Sequence, residues 1–64
     1  MNLKIDIDTD FRTRRAKGRL TLKDVCEGTG ISAARLSDYE NSPISYTKVA
    51  AYVKIDNFLK TKDV

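Results

Sequence analysis

Apolar residues recur along most of this chain at helical spacing, and glycine and proline punctuate the recurrence. Val25–Cys26 followed by Thr29 has the three-to-four spacing of a helix stripe, and so has Leu36–Tyr39. Gly30 lies between these runs, where a residue free to adopt left-handed backbone lets the chain turn sharply. Thr21 stands where it can cap the first of the two helices, Leu22 to about Gly28, which turns Val25 and Cys26 inward and Lys23, Asp24 and Glu27 to water. Ser32 stands at the start of the second helix, which runs to Asn41. A projection at about 100° per residue gathers Ser32, Leu36 and Tyr39 on its buried side. Ala34, Ser37, Asp38 and Asn41 fall opposite, Ala33 and Arg35 lie on the shoulders, and Glu40 flanks the core within reach of a basic side chain on an earlier helix.

Around this pair the pattern predicts further elements. Leu3, Ile5 and Ile7 alternate with Asn2, Lys4, Asp6 and Asp8, which fits a half-buried strand and equally an extended arm over residues 1–9. Asp8, Thr9 and Asp10 offer cap oxygens for a helix beginning near Phe11. The run Phe11–Arg19 is poor in apolar residues, Gly18 is a C-terminal breaker, and Leu20 drops into the core. Asn41–Ser42–Pro43 ends the helix before it, because proline disfavours a helical residue ahead of it. Ser45 is placed to cap a last helix in which Tyr46, Val49, Ala50 and Val53 form an inward stripe. Ile55, Phe58 and Leu59 extend apolar surface off that line, so the helix bends, stops or buries a second face. Residues 60–64 read as a frayed tail. The pattern thus predicts four helices in one domain spanning 1–64, with a helix-turn-helix unit at its centre.

Composition narrows the chemistry. The chain is 41% hydrophobic and 33% charged, which suits a folded domain near the lower size limit for an independent core. Twelve Lys+Arg against nine Asp+Glu leave +3, a mild excess whose distribution says more than its size. Asp6, Asp8 and Asp10 crowd the start, while Arg12, Arg14, Arg15, Lys17, Arg19 and Lys23 follow; that run is a solvated face or a phosphate-facing patch. The single cysteine, Cys26, reads as a small core residue, and with no signal-like or membrane-length apolar run the expected setting is the reducing cytoplasm. No histidine and one cysteine leave no thiolate or imidazole metal site, and no cofactor is expected. Asp24 and Glu27 are a solvated helix pair with no nucleophile arranged around them, so catalysis is not expected. Gly28–Gly30 follows a helix instead of a strand and is no phosphate loop.

The residues Arg14–Leu22, Val25-Cys26, Gly30-Ile31-Ser32, Leu36, Tyr39-Glu40-Asn41 and Pro43 together resemble the Cro/cI-type, lambda-repressor-like DNA-binding domains. The match covers roughly Phe11 to Val53. In that family's twenty-residue unit, a small residue, a glycine and apolar residues stand where Cys26, Gly30, Val25, Ile31, Leu36 and Tyr39 stand here. The resemblance implies an all-α fold of four or five helices, in which the helix from Ser32 or Ala33 to Asn41 enters the major groove and Arg14 or its neighbour Arg15 pairs with Glu40. It also implies phosphate contacts near Thr21 and Ser32, and base contacts from Ala33, Ala34, Ser37, Asp38 and Asn41.

Leu22 and Ala33 depart from that pattern, since the family usually has glutamine at both places to brace and read adenine. The alanines offer only a methyl to thymine, Asp38 can accept from cytosine but repels phosphate, and Asn41 alone keeps adenine-reading chemistry. Two functions follow. One is a small regulator, of phage or prophage type, that reads operator DNA through helix 32–41 and grips phosphates with Arg12, Arg15, Lys17, Arg19, Lys23 and Arg35. The other is an antirepressor, like the phage modulators of repression, that offers the same surface to a repressor's DNA-binding domain. A homodimer through Ile55, Phe58 and Leu59, or through the Leu3–Ile7 arm, is the alternative to these residues merely covering the core.

Overall fold

Side-chain caps set the starts of the first three helices. The computed structural model describes residues 7–64, and within them the order is α1 (Phe11–Lys17), α2 (Leu22–Thr29), α3 (Ala33–Asn41), a 3-10 turn (Tyr46–Lys48) and α4 (Val49–Thr61). The Asp10 carboxylate accepts from the Thr13 amide, and the Ser32 hydroxyl from that of Arg35. Thr21 and Asp24 close a reciprocal capping box, and these bonds hold the Asp24 carboxyl below its ordinary range. Gly30 ends α2 at φ 76°, the left-handed turn its position predicts. Gly18 ends α1 without positive φ; Arg19 takes the left-handed backbone instead, at φ 55°. No strand occurs among the described residues, and the strand or arm expected at Leu3–Ile7 lies outside them except for Ile7, which packs on the core.

Phe11, Val25, Leu36, Tyr52, Ile55 and Leu59 form the buried core, one or more from each α-helix. α2 packs on both α3 and α4, and α1 lies on α4. Tyr52 is the hub: its ring tilts against Phe11, meets Tyr39 edge-on at 5.9 Å, and its hydroxyl accepts from the Ser45 amide at 3.0 Å. Leu20, Leu22, Cys26 and Ile31 pack against this core from its edge.

The structure corrects the expected phase of α4. Tyr46 and Val53 are 55% and 40% exposed, and the buried stripe is Tyr52, Ile55, Asp56 and Leu59. The 13-residue helix carries two apolar stripes, and the one with the larger side chains and the longer reach is buried. The 3-10 turn before Val49 resets the phase, and Ser45 makes no cap: its hydroxyl pairs with Thr47. Ile55 and Leu59 are therefore unavailable for a dimer surface, and Phe58 is half-buried over Gly28. Residues 60–64 are no loose tail either. α4 continues to Thr61, and Val64 packs on the core while its backbone oxygen accepts from Arg14 Nε at 2.9 Å.

Arg14 explains much of this. It is buried, and it reaches Asp56 on α4 at 2.8 Å and the Asp8 carbonyl at 2.8 Å, not Glu40. Burial works to raise the Asp56 carboxyl, but the hydrogen bonds and charges of Lys60 and Arg14 outweigh it and hold Asp56 below the usual carboxylate range. Removing one partner leaves a buried charge uncompensated, which costs roughly 3–5 kcal/mol. That is comparable with the whole stability of a domain this small.

Two outcomes are expected. Asp56→Asn lowers urea-unfolding stability by roughly 3 kcal/mol or more, while Arg14→Met with Asp56→Leu recovers most of that loss. Because the folded Asp56 is the stronger acid, its contribution is complete above the unfolded carboxylate pKa of about 3.9 and disappears as pH falls through the folded value. Wild-type stability should accordingly drop below about pH 4 more steeply than that of the double variant. Gly30→Ala meets no atom within 4 Å, so its cost is backbone strain alone, roughly 1–2 kcal/mol, with Gly30→Asn milder; thermal unfolding measures both.

Candidate functional site

α3 is held from one side only. Leu36 is buried and Tyr39 half-buried against α2 and α4, whereas Ala33, Ala34, Arg35, Asp38 and Asn41 are exposed and Ser37 is half-buried. Ser32, expected on the buried side, is exposed: as the cap its backbone is extended, outside the helical projection. Thr21 is likewise exposed, so both α2 and α3 begin at open, capped N-termini.

The far end of α3 is fixed to α1. Arg15 donates from Nε and Nη2 to the two oxygens of Glu40, at 2.9 and 3.1 Å, and from Nη1 to the Leu20 carbonyl at 3.0 Å. The Glu40 side chain is only 5% exposed, and its hydrogen bonds raise the Arg15 pKa against the opposing effect of burial. Of the two arginines that stood open as partners, Arg15 takes Glu40. With all three nitrogens of its guanidinium engaged, Arg15 leaves the group of phosphate-gripping candidates. Arg12 behaves differently: its side chain is 62% exposed, lies 3.7 Å from Glu40, and donates from Nη2 to the Asn41 side-chain oxygen at 2.7 Å.

The outer face of α3 is wired within itself. The Asn41 Nδ2 donates to the Ser37 carbonyl at 2.8 Å and to its hydroxyl at 3.3 Å. Asp38 accepts from the Ser42 hydroxyl and from Lys48 Nζ, and both hold its carboxyl ionised below the ordinary range. Lys48 also stands 5.3 Å from the centre of the Tyr39 ring. Lys17, Arg19, Lys23 and Arg35 are exposed and make no ion pair among the described residues. Arg35 and Lys54 line an open groove of about 400 Å³ between α3 and α4, beside Tyr39 and Ala51.

Three participants escaped the sequence reading: Lys48, Asp56 and the role of Arg12. Asp56 carried a usable signal, because an acid inside the stripe Tyr52–Ile55–Asp56–Leu59 demands a basic partner. Lys48 and Arg12 carried none, since each meets its partner across a turn or between helices.

The assembled surface has hydrogen-bonding groups, exposed cations and one acid, and no group of three or more His, Cys, Asp or Glu that could hold a metal occurs among the described residues. No described helix is long and apolar enough to cross a membrane. No family model matches the chain, and neither a curated protein nor a solved structure does.

If Glu40 is the anchor of α3, Glu40→Ala strands the part-buried Arg15 and lowers stability by roughly 3 kcal/mol, whereas Arg12→Ala, at an exposed site, changes it by less than about 1 kcal/mol. Urea unfolding at neutral pH compares the two; equal losses would deny Glu40 that role.

Proposed function

We propose that this chain is a small helix-turn-helix regulator that binds operator DNA through α3. The observation that carries the reading is the display of α3. Gly30 turns it at one end, Arg15–Glu40 pins it at the other, and its outer residues Ala33, Ala34, Asp38 and Asn41 stand in solvent. The exposed caps Thr21 and Ser32 mark helix N-termini open to phosphate oxygens. Lys17, Arg19, Lys23, Arg35 and the outer edge of Arg12 supply exposed positive charge, and the resemblance to Cro/cI-type domains points the same way. In this reading Ala33, Ala34 and Ser37 contact bases by methyl and hydroxyl, and the protein works in the bacterial cytoplasm.

A second reading rests on one feature. Asp38 stays ionised on the outer face beside two alanines, and Ile44 and Tyr46, 54% and 55% exposed, lie just beyond the end of α3. A surface of small, apolar and acidic groups packs well against a protein, which is what an antirepressor seated on a repressor's DNA-binding domain requires.

Duplex titration separates the two. Binding to a random-sequence duplex should weaken steeply from about 50 to 200 mM salt, with a log–log slope near −4 if four or five cations engage phosphates. No duplex binding at the lowest salt would remove DNA as the ligand and leave the protein partner. In that case Ala34→Arg with Ser37→Arg should abolish capture of the cognate repressor.

A further inference from the structure

We propose that Asn41 reads no base but positions Arg12, and that the two residues act as one phosphate clamp at the C-terminal end of α3. The inference rests on the DNA-binding reading and sharpens it. Bidentate recognition of adenine needs both the oxygen and the nitrogen of the amide free. Here the Asn41 oxygen accepts from Arg12 at 2.7 Å, and its nitrogen donates to both the carbonyl and the hydroxyl of Ser37, at 2.8 and 3.3 Å, so both are engaged along the protein surface. The same bonds settle where Arg12 goes. Its residue is rooted in the first turn of α1, yet its guanidinium is drawn across to α3 and stopped there by the Asn41 oxygen.

The charge of Arg12 remains available. Glu40 stands 3.7 Å away but is already paired with Arg15 through two shorter bonds, so it steers the Arg12 guanidinium without neutralising it. Nη1 of Arg12 makes no bond among the described residues, and neither does the second hydrogen of Nη2; together they form the outward edge of a planar fork on a side chain 62% exposed. That edge matches two oxygens of one phosphate. Asn41 removes the rotamer freedom that a long exposed arginine would otherwise lose on binding. The C-terminal end of α3 is thus a backbone-gripping end, and base contact falls to Ala33, Ala34 and the Ser37 hydroxyl, since both oxygens of Asp38 are engaged by Ser42 and Lys48.

The test uses the whole chain with a randomised duplex pool, followed by salt titration on the enriched duplex. The variants are Arg12→Ala, Arg12→Lys, Asn41→Ala and Arg12→Ala with Asn41→Ala, their fold checked by circular dichroism. Arg12→Ala should lower affinity roughly ten- to hundredfold, as loss of a charged hydrogen-bonding group does, and make the salt slope shallower by about 0.9. Asn41→Ala should lower affinity severalfold while enriching the same base sequence as wild type. The double variant should bind no more than about twofold worse than Arg12→Ala alone. Arg12→Lys should keep the slope but bind more weakly, because an ammonium lacks the fork. Losses that multiply in the double variant, or a base preference that disappears with Asn41, would overturn the clamp while leaving DNA binding intact. A wild-type chain that enriches no duplex would overturn both.

Discussion

A helix of seven residues with one buried apolar side chain has little with which to hold its place. Each ordered residue gives up roughly 1–2 kcal/mol of backbone entropy, and burying a single Phe11 returns roughly 1.5–3 kcal/mol. α1 is held instead by two neighbouring arginines that diverge by the helical twist. Arg14 turns inward to Asp56 on α4 and to backbone oxygens at Asp8 and Val64; Arg15 turns to Glu40 on α3. The consecutive pair therefore ties the start and end of the described chain to α4 and fixes the far end of α3 in one stroke. Asp56 and Glu40 are both largely withdrawn from water, and their second cations, Lys60 and Arg12, are themselves exposed, so the two arginines are the partners that lie inside with them.

Local chemistry was legible in the sequence. Capping at Thr21 and Ser32 and the left-handed Gly30 depend on residues three or four positions apart, so their spacing alone predicts them, while for α1 the structure picks Asp10 from the three candidates Asp8, Thr9 and Asp10. The inward faces of α2 and α3 were legible for the same reason, as one stripe each. α4 was not, because its residues offer two stripes and only contact with Phe11, Val25 and Leu36 chooses between them. The choice of Arg15 over Arg14 for Glu40 lies about one helical step beyond what spacing resolves. The Arg12–Asn41 bond joins residues 29 positions apart, and nothing local announces it.

These anchors explain why the outer face of α3 can be so plain. A helix that had to hold itself in place would need large apolar residues around more of its circumference. α3 buries Leu36 and leans on Tyr39, while Gly30 and Glu40 fix its two ends, so Ala33 and Ala34 are left free of structural duty. Small side chains allow close approach of a partner's surface, and the charges that could guide it lie around α3 on Arg12, Lys23 and Arg35. Leu22 fits the same division of labour. Where the resembling family reads DNA with a glutamine, this chain packs a leucine against the core, and in the proposed reading recognition falls to α3.

The central claim is that α3 is the surface presented to the ligand and that α1 and α4 serve to hold it. Backbone amide chemical shifts, followed while an enriched DNA duplex is titrated into the labelled protein, test this residue by residue. The account predicts the largest changes at Thr21, Lys23 and Ala33–Asp38, with the Arg12 and Asn41 side-chain signals moving together and the Ile55–Leu59 core unchanged. Changes centred on Tyr46, Val53 and Lys54 with α3 silent would contradict it.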